Sequence, residues 1–206
     1  MPGIELPPTK SSLRRLKEDL AFAYEGYDLL NQKREILALE IVRKIDEIRR
    51  TEADFHQALD NLYGAYRGAA VDMGADAAAL ASCAERKSYT LFMDVSKLMG
   101  LRLVNFRLHL KKLHAPVAFP RTSASYDEAR SRSRDALALL ARYATITKSI
   151  ILLSRELKKV QRRVNALEKI FIPQHEEAKK YITDRIEEME REEVFVKKLI
   201  RQRQAR

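Results

Sequence analysis

The chain has no tryptophan, one cysteine, six glycines and six prolines in 206 residues. Each scarcity excludes something. A lone Cys83 permits neither a disulfide framework nor a cysteine-based metal cluster. Within the Ala-rich ADAAALASCAE it reads as a small buried thiol. Few turn formers and 7% aromatics argue against a compact mixed fold. Together with 33% charged residues they fit long amphipathic helices. No window approaches 18 uninterrupted apolar residues, so no membrane span is expected. The opening MPGIELPPTK lacks a basic region followed by an apolar core, so no signal peptide is expected either, and the protein reads as intracellular and soluble.

Catalytic signatures are also missing. None of the glycines, at 3, 26, 64, 68, 74 and 100, precedes a lysine, so no phosphate loop of the GxxxxGK[ST] kind is present. His56, His109, His114 and His175 have no metal-ligand spacing. Carboxylate pairs such as Glu187-Glu188 and Glu192-Glu193 fall on helical faces where solvation explains them. No nucleophile elbow or dinucleotide motif appears. The chain is read as non-catalytic, with no cofactor and no metal.

What is present is helical rhythm. After an extended lead-in over 1–9, held out of helix by Pro7 and Pro8, Thr9, Ser11 or Ser12 can cap a helix. Apolar residues then step by threes and fours through Leu13, Leu16, Leu20, Ala23, Tyr27, Leu30, Leu37, Ile41 and Ile48. That narrow seam is the mark of a coiled coil. Arg34 and Lys44 are charged interruptions of it. The helix is expected to run to about Arg67, with Gly68 to Gly74 as a break and a short Ala-rich helix over 76–87. SYTLFMDVSKLMGLRLVNFRLHL reads as a β-hairpin over about 88–108 that turns at Leu98-Met99-Gly100. A buried amphipathic helix is the competing reading. HAPVAFPRTSAS, at 114–125, is a connector.

The last third returns to 4-3 steps: Ile146, Ile150, Leu153, Leu157, Val160, Val164, Leu167 and Phe171. Beyond Pro173 the apolar residues resume at Tyr181, Ile182, Ile186 and Met189, then Val194, Val196, Leu199 and Ile200. With Val164 at a and Leu167 at d, Pro173 falls at c, away from the seam. It lacks the amide that would bond the Lys169 carbonyl, so a bend is expected there within a continuing helix. The chain thus divides into a lead-in (1–9), an N-terminal long helix (10–70), a middle insert with short helix and β-hairpin (71–124), and a C-terminal long helix bent near Pro173 (125–206). The expected fold is mainly α, an antiparallel two-helix coiled coil with both termini at its free tip and the insert closing the other end.

The net charge of +10 and pI near 9.7 favour an acidic partner, whether nucleic acid, an anionic membrane surface or an acidic protein cavity. Lys and Arg interleaved with Glu for solubility explain much of the charge equally well. RSRSRDA at 130–136 and the terminal RQRQAR are short basic runs, suggestive of phosphate binding and no more.

RRVNALEKIFIP, containing Arg163, Val164, Asn165, Ala166, Leu167, Glu168 and Pro173, resembles the signature of the D subunit of V-type and A-type rotary ATPases. The opening is similar to that family's as well, in Pro8-Thr9, Leu13, Leu16, Gly26, Leu29-Leu30 and Lys33-Arg34. YITDRIEEMEREEVFVKKLI resembles its acidic-then-basic end, and LMGLRLVNF its hairpin, with Asn105 where a proline often stands. The resemblance covers both ends, about half the chain. It implies the central rotor shaft of a rotary ATP synthase, passing torque between a ring of A and B subunits and the membrane ion-translocating rotor. The implied partners are the A and B subunits, the small F subunit of the stalk, and the C (or d) subunit of the membrane rotor. A peripheral, cytoplasmic location follows, with no direct membrane insertion and no nucleic acid. Arg14, Lys17, Lys197, Lys198, Arg201 and Arg203 would contact acidic ring surfaces at the tip, and the hairpin at Gly100 would modulate activity. A coiled-coil adaptor and a nucleic-acid-binding helical hairpin are the alternatives.

Overall fold

The computed structural model describes residues 7–84, 89–111 and 122–204. It is mainly helical, with long N- and C-terminal helices packed together and a small middle hairpin and short helix. The order is α1 (Lys10–Met73), α2 (Ala75–Ala84), β1 (Tyr89–Leu98), β2 (Leu101–Leu110), α3 (Ala124–Ala166), a π-helical turn (Leu167–Phe171) and α4 (Ile172–Gln204). By its internal contacts the chain forms two units, Met1–Ile36 with Leu157–Arg206, and Leu37–Glu156.

Thr9 caps α1: the Ser12 amide donates to its Oγ1 at 3.1 Å, which satisfies one of the free amides of the first turn. The helix then continues through Gly64 and Gly68 to Met73, beyond the expected stop near Arg67. A helical glycine costs only about 1 kcal/mol, and packing offsets it here. Ala69 is fully buried, and the Ser125 hydroxyl of α3 donates to Asp72 at 2.5 Å. The chain breaks instead at Gly74, whose φ of +85° lies where a side chain is strained. Cys83, read as buried, is exposed on α2. A ten-residue helix of alanines offers too narrow a stripe to cover every small side chain.

The hairpin reading holds over the amphipathic-helix alternative. β1 and β2 pair antiparallel from Tyr89↔Leu110 to Leu98↔Leu101, which leaves Met99-Gly100 as a two-residue turn. Both turn residues have positive φ, 49° and 82°. A two-residue turn of that hand matches the right-handed twist of the strands. Glycine takes it freely; Met99 holds the left-handed conformation at a cost of about 1 kcal/mol. The outer edge of β2 is fastened to α3, where the Phe106 amide donates to Thr145 Oγ1 at 2.9 Å. In the same unit Phe55 stacks on Tyr143 with centroids 5.9 Å apart, and Leu37, Ile146 and Leu153 are buried.

The helical run Ala124–Gln204 contains one stretch apolar enough, by length and composition alone, to cross a membrane, and 22% of it is buried here. The sequence criterion of uninterrupted apolar residues passes over it because isolated charges divide it.

Candidate functional site

The first unit is a two-helix seam, and its contacts read off in antiparallel order. Lys10 Nζ reaches Glu190 at 2.7 Å. Leu16 packs with Ile182 and Ile186, with Leu13 and Ala178 against them. The Tyr24 hydroxyl donates to Glu176 at 2.6 Å, and that hydrogen bond to a carboxylate raises the tyrosine pKa. Leu20, Ala23 and Ile172 form the next cluster, flanked by Tyr27 and Leu167. Arg34 lies at the end of this unit and donates to Gln161 Oε1 at 3.5 Å. The charged interruption is thus tolerated because a guanidinium on a long stem reaches a flanking polar group.

Of the residues read as the seam, Leu16, Leu20, Leu37, Leu153, Val160 and Val164 are buried. Leu13, Tyr27, Leu30, Ile41, Ile150, Leu157 and Leu167 are half-buried. Phe171 is 39% exposed, while Ile172, one residue on, is buried. The π turn is the cause. The Ile172 amide donates to the Leu167 carbonyl, five residues back, so one extra residue enters the turn and the inward face moves on by one. Such a turn spreads the carbonyls that the Pro173 ring would otherwise crowd. Helix therefore continues into α4 without interruption. His175 is drawn inward next to it. Its Nδ1 donates to the Phe171 carbonyl at 2.9 Å, and the two rings stack with centroids 3.8 Å apart. Neither the π turn nor the inward His175 could be read from a seven-residue repeat, which presumes constant turns. The motif residues Arg163, Asn165, Ala166 and Glu168 lie on the outer side of the seam, away from the buried Val164.

The tip cations all lie exposed or at the margin of the seam. Arg14 pairs with Glu18 at 2.9 Å and Lys197 with Glu193 at 2.7 Å, the latter pairing lowering the Glu193 pKa. Lys17 lines a shallow depression of about 390 Å³ with Lys10, Leu13 and Arg14. Lys198, Arg201 and Arg203 extend along the end of α4. Because Lys10 already sits at Glu190, α4 runs about nine residues past that level before Leu199. Val194, Phe195, Val196, Leu199 and Ile200 are exposed there. They continue the apolar rhythm, but α1 begins at Lys10, and among the described residues no helix faces them.

The basic run at 130–136 is partly neutralised, Arg130 by Asp127 and Arg132 by Glu128. Among the described residues, no group of three His, Cys, Asp or Glu could hold a metal.

A family model for the D subunit of ATP synthase matches residues 12–202. The V-type ATP synthase D subunit of Thermotoga neapolitana is 32% identical over 203 residues, covering 98% of this chain and all of that protein. The A-type D subunit of Methanosphaera stadtmanae is 32% identical over 197 residues, 94% of this chain and 92% of that one. The A-type D subunit of Pyrococcus horikoshii is 30% identical over 213 residues, end to end on both.

Proposed function

This chain belongs to the D-subunit family of V- and A-type ATP synthases, the central stalk of the complex, and we propose that it acts there as the rotor shaft. It carries torque between a catalytic A/B ring and the membrane rotor, with the ATP-hydrolysing sites in other subunits. The observation that carries this reading is the exposed apolar end of α4. An exposed helix bearing Val194, Phe195, Val196, Leu199 and Ile200 next to Lys197, Lys198, Arg201 and Arg203 needs a surrounding surface. Such an end suits a socket that is apolar and acidic, as a ring cavity would be. A shaft must be stiff yet must not grip any one station. The seam supports stiffness: it is aliphatic and closely packed, with Leu16 on Ile182 and Ile186, and Leu20 and Ala23 on Ile172. The tip cations on flexible stems support weak, successive contacts, each worth well under about 1 kcal/mol.

In this reading Arg14, Lys17, Lys197, Lys198, Arg201 and Arg203 meet acidic surfaces of the A and B subunits in turn. The F subunit and the C (or d) subunit bind elsewhere on the shaft, and the chain stays on the cytoplasmic side without entering the bilayer. Coexpression with A and B subunits of the same organism tests it. The expected outcome is one copy of this chain in a hexameric ring with altered turnover. Replacing all six tip cations with Ala should weaken assembly or uncouple hydrolysis from ion movement. Unchanged coupled activity in that variant would refute the tip assignment.

A further inference from the structure

Residues directly opposite in a strand pair share a face. One face of the hairpin therefore carries Leu91 with Leu108, Met93 with Phe106 and Val95 with Val104. In a soluble fold such a face would be covered, yet Leu91, Met93 and Val95 are each more than half exposed. Between it and α3 lies an apolar groove of about 260 Å³, walled by Leu91, Phe106 and Leu108 on one side and Leu137 and Leu140 on the other. An exposed apolar surface bounded by charge marks an interaction site.

The charges at the turn end of this face have one sign. At the turn, the same face ends in Lys97 directly opposite Arg102. Like charges across a strand pair repel, and no ion pair among the described residues offsets either one.

We propose that this groove is the docking site of an acidic amphipathic helix from another protein chain. The apolar stripe of that helix lies on Leu91, Phe106, Leu108 and Leu140, and its carboxylates meet Lys97 and Arg102 at the turn end. Shape selects a helix. Two facing apolar walls accept a cylinder, the helix-in-groove mode, whereas a flat bilayer surface would touch only the rims. Strand addition at the β2 edge competes with a bond already made, since Thr145 accepts the Phe106 amide. The partner is sought in the same complex, and to that extent the inference rests on the shaft reading.

Two measurements test it. A photoreactive benzoylphenylalanine is placed at Leu91 and, separately, at Leu140 of the full chain within the assembled complex, and adducts are mapped after irradiation. Both positions should join one acidic amphipathic segment of a single partner protein. The double variant Lys97→Glu with Arg102→Glu should lower that yield about five- to tenfold. Adducts with lipid, adducts confined to this chain, or a yield indifferent to charge reversal would each overturn the proposal. If the chain fails to enter the complex at all, the shaft reading falls, and the second measurement decides the groove alone. A fluorescent synthetic acidic amphipathic helix is titrated against the full chain. Its affinity should fall about five- to tenfold in the double variant and should exceed that of a scrambled peptide of equal composition; equal affinities would overturn the docking site.

Discussion

Between Leu16 and Tyr27 the burial is carried by large aliphatic side chains from two helices, whereas in the hairpin-bearing unit much of it falls to small residues. Leu16, Val160, Val164 and Ile182 are the fully buried groups of the first unit. The second has Leu37 and Leu153 fully buried too, but Ala69, Ala78, Ala129 and Ala136, with Thr51 and Ser149, make up much of its buried set. Those hydroxyls bond carbonyls one turn back in their own helices, the Glu47 carbonyl at 3.0 Å and that of Thr145 at 2.8 Å. A two-helix seam has no third layer, so each large residue in it holds a sizeable share of the stability. The hairpin unit brings more elements together but leaves the apolar face of its sheet open. Stiffness follows the two-helix aliphatic seam, and recognition the open face of the sheet.

The largest expected effect follows from that contrast. Leu16→Ala should lower unfolding stability by about 3 kcal/mol, because a leucine 1% exposed against Ile182 and Ile186 leaves a cavity. Leu91→Ala, on the open face, should change it by less than about 0.5 kcal/mol. Urea midpoints of the two variants, at equal slopes, make the comparison; equal losses would mean that the hairpin face is part of the core. A smaller effect separates the two turn residues. Gly100→Val should destabilise the hairpin by about 1–2 kcal/mol, since a β-branched side chain would be forced to positive φ. Met99→Gly should stabilise it by about 1 kcal/mol through relief of the same strain. Amide exchange of the strand residues resolves both, and opposite signs are the essential outcome.

How much of this was legible depended on whether the governing pattern was local. The spacing from Leu13 to Ile48 and from Ile146 to Val164 is a property of consecutive turns, so long helices followed from it directly, as the β-hairpin did from the strand formers around Gly100. The length of α1 past Gly68 did not, because the offset comes from α3 contacts some fifty residues away in sequence. Nor did the exchange of Phe171 for Ile172 on the buried face, which depends on one hydrogen bond of unusual span. The tip cations could be named as charges, but their neighbours Phe195 and Ile200 read as more seam. Only the antiparallel register, fixed by Lys10 at Glu190, exposes them.

The π turn itself can be probed by Pro173→Ala. Restoring the amide would let an ordinary α turn form to the Lys169 carbonyl. That would rotate Ile172, Ile182 and Ile186 off the seam by about 100°, and these residues are buried against Leu16, Leu20 and Ala23. Their burial outweighs one improved hydrogen bond, which is worth about 1 kcal/mol. The turn is therefore expected to persist, with stability changed by less than about 1 kcal/mol. A crystal structure of the variant showing α-helical bonding throughout 167–173 would mean that the proline, not the seam, imposes the extra residue.

The smallest effect concerns charge, and it sharpens the contrast between the units. In the two-helix stretch the ion pair Lys10–Glu190 is largely in water and should contribute almost nothing measurable. In the hairpin unit Glu47 is only about one-third exposed and receives Lys44 at 2.8 Å, with Arg142 at 3.8 Å from α3. The hydrogen bond from Lys44, then its charge and those of Arg142 and Arg43, hold the Glu47 carboxyl below its ordinary value against the opposing effect of burial. A depressed carboxylate pKa contributes stability that is present above the unfolded value and is lost as pH falls through the folded one. Discounted for solvent screening, that contribution is about 0.5 kcal/mol. Glu47→Gln should therefore lower stability by that amount at about pH 7, and the difference from the parent chain should vanish once both are acidified below the folded pKa of Glu47. The same experiment on Glu190→Gln should show no difference at either pH. If Glu190 proves the more sensitive of the two, ionic bracing belongs to the two-helix stretch, and the division between a stiff aliphatic seam and a polar, partner-binding unit would have to be redrawn.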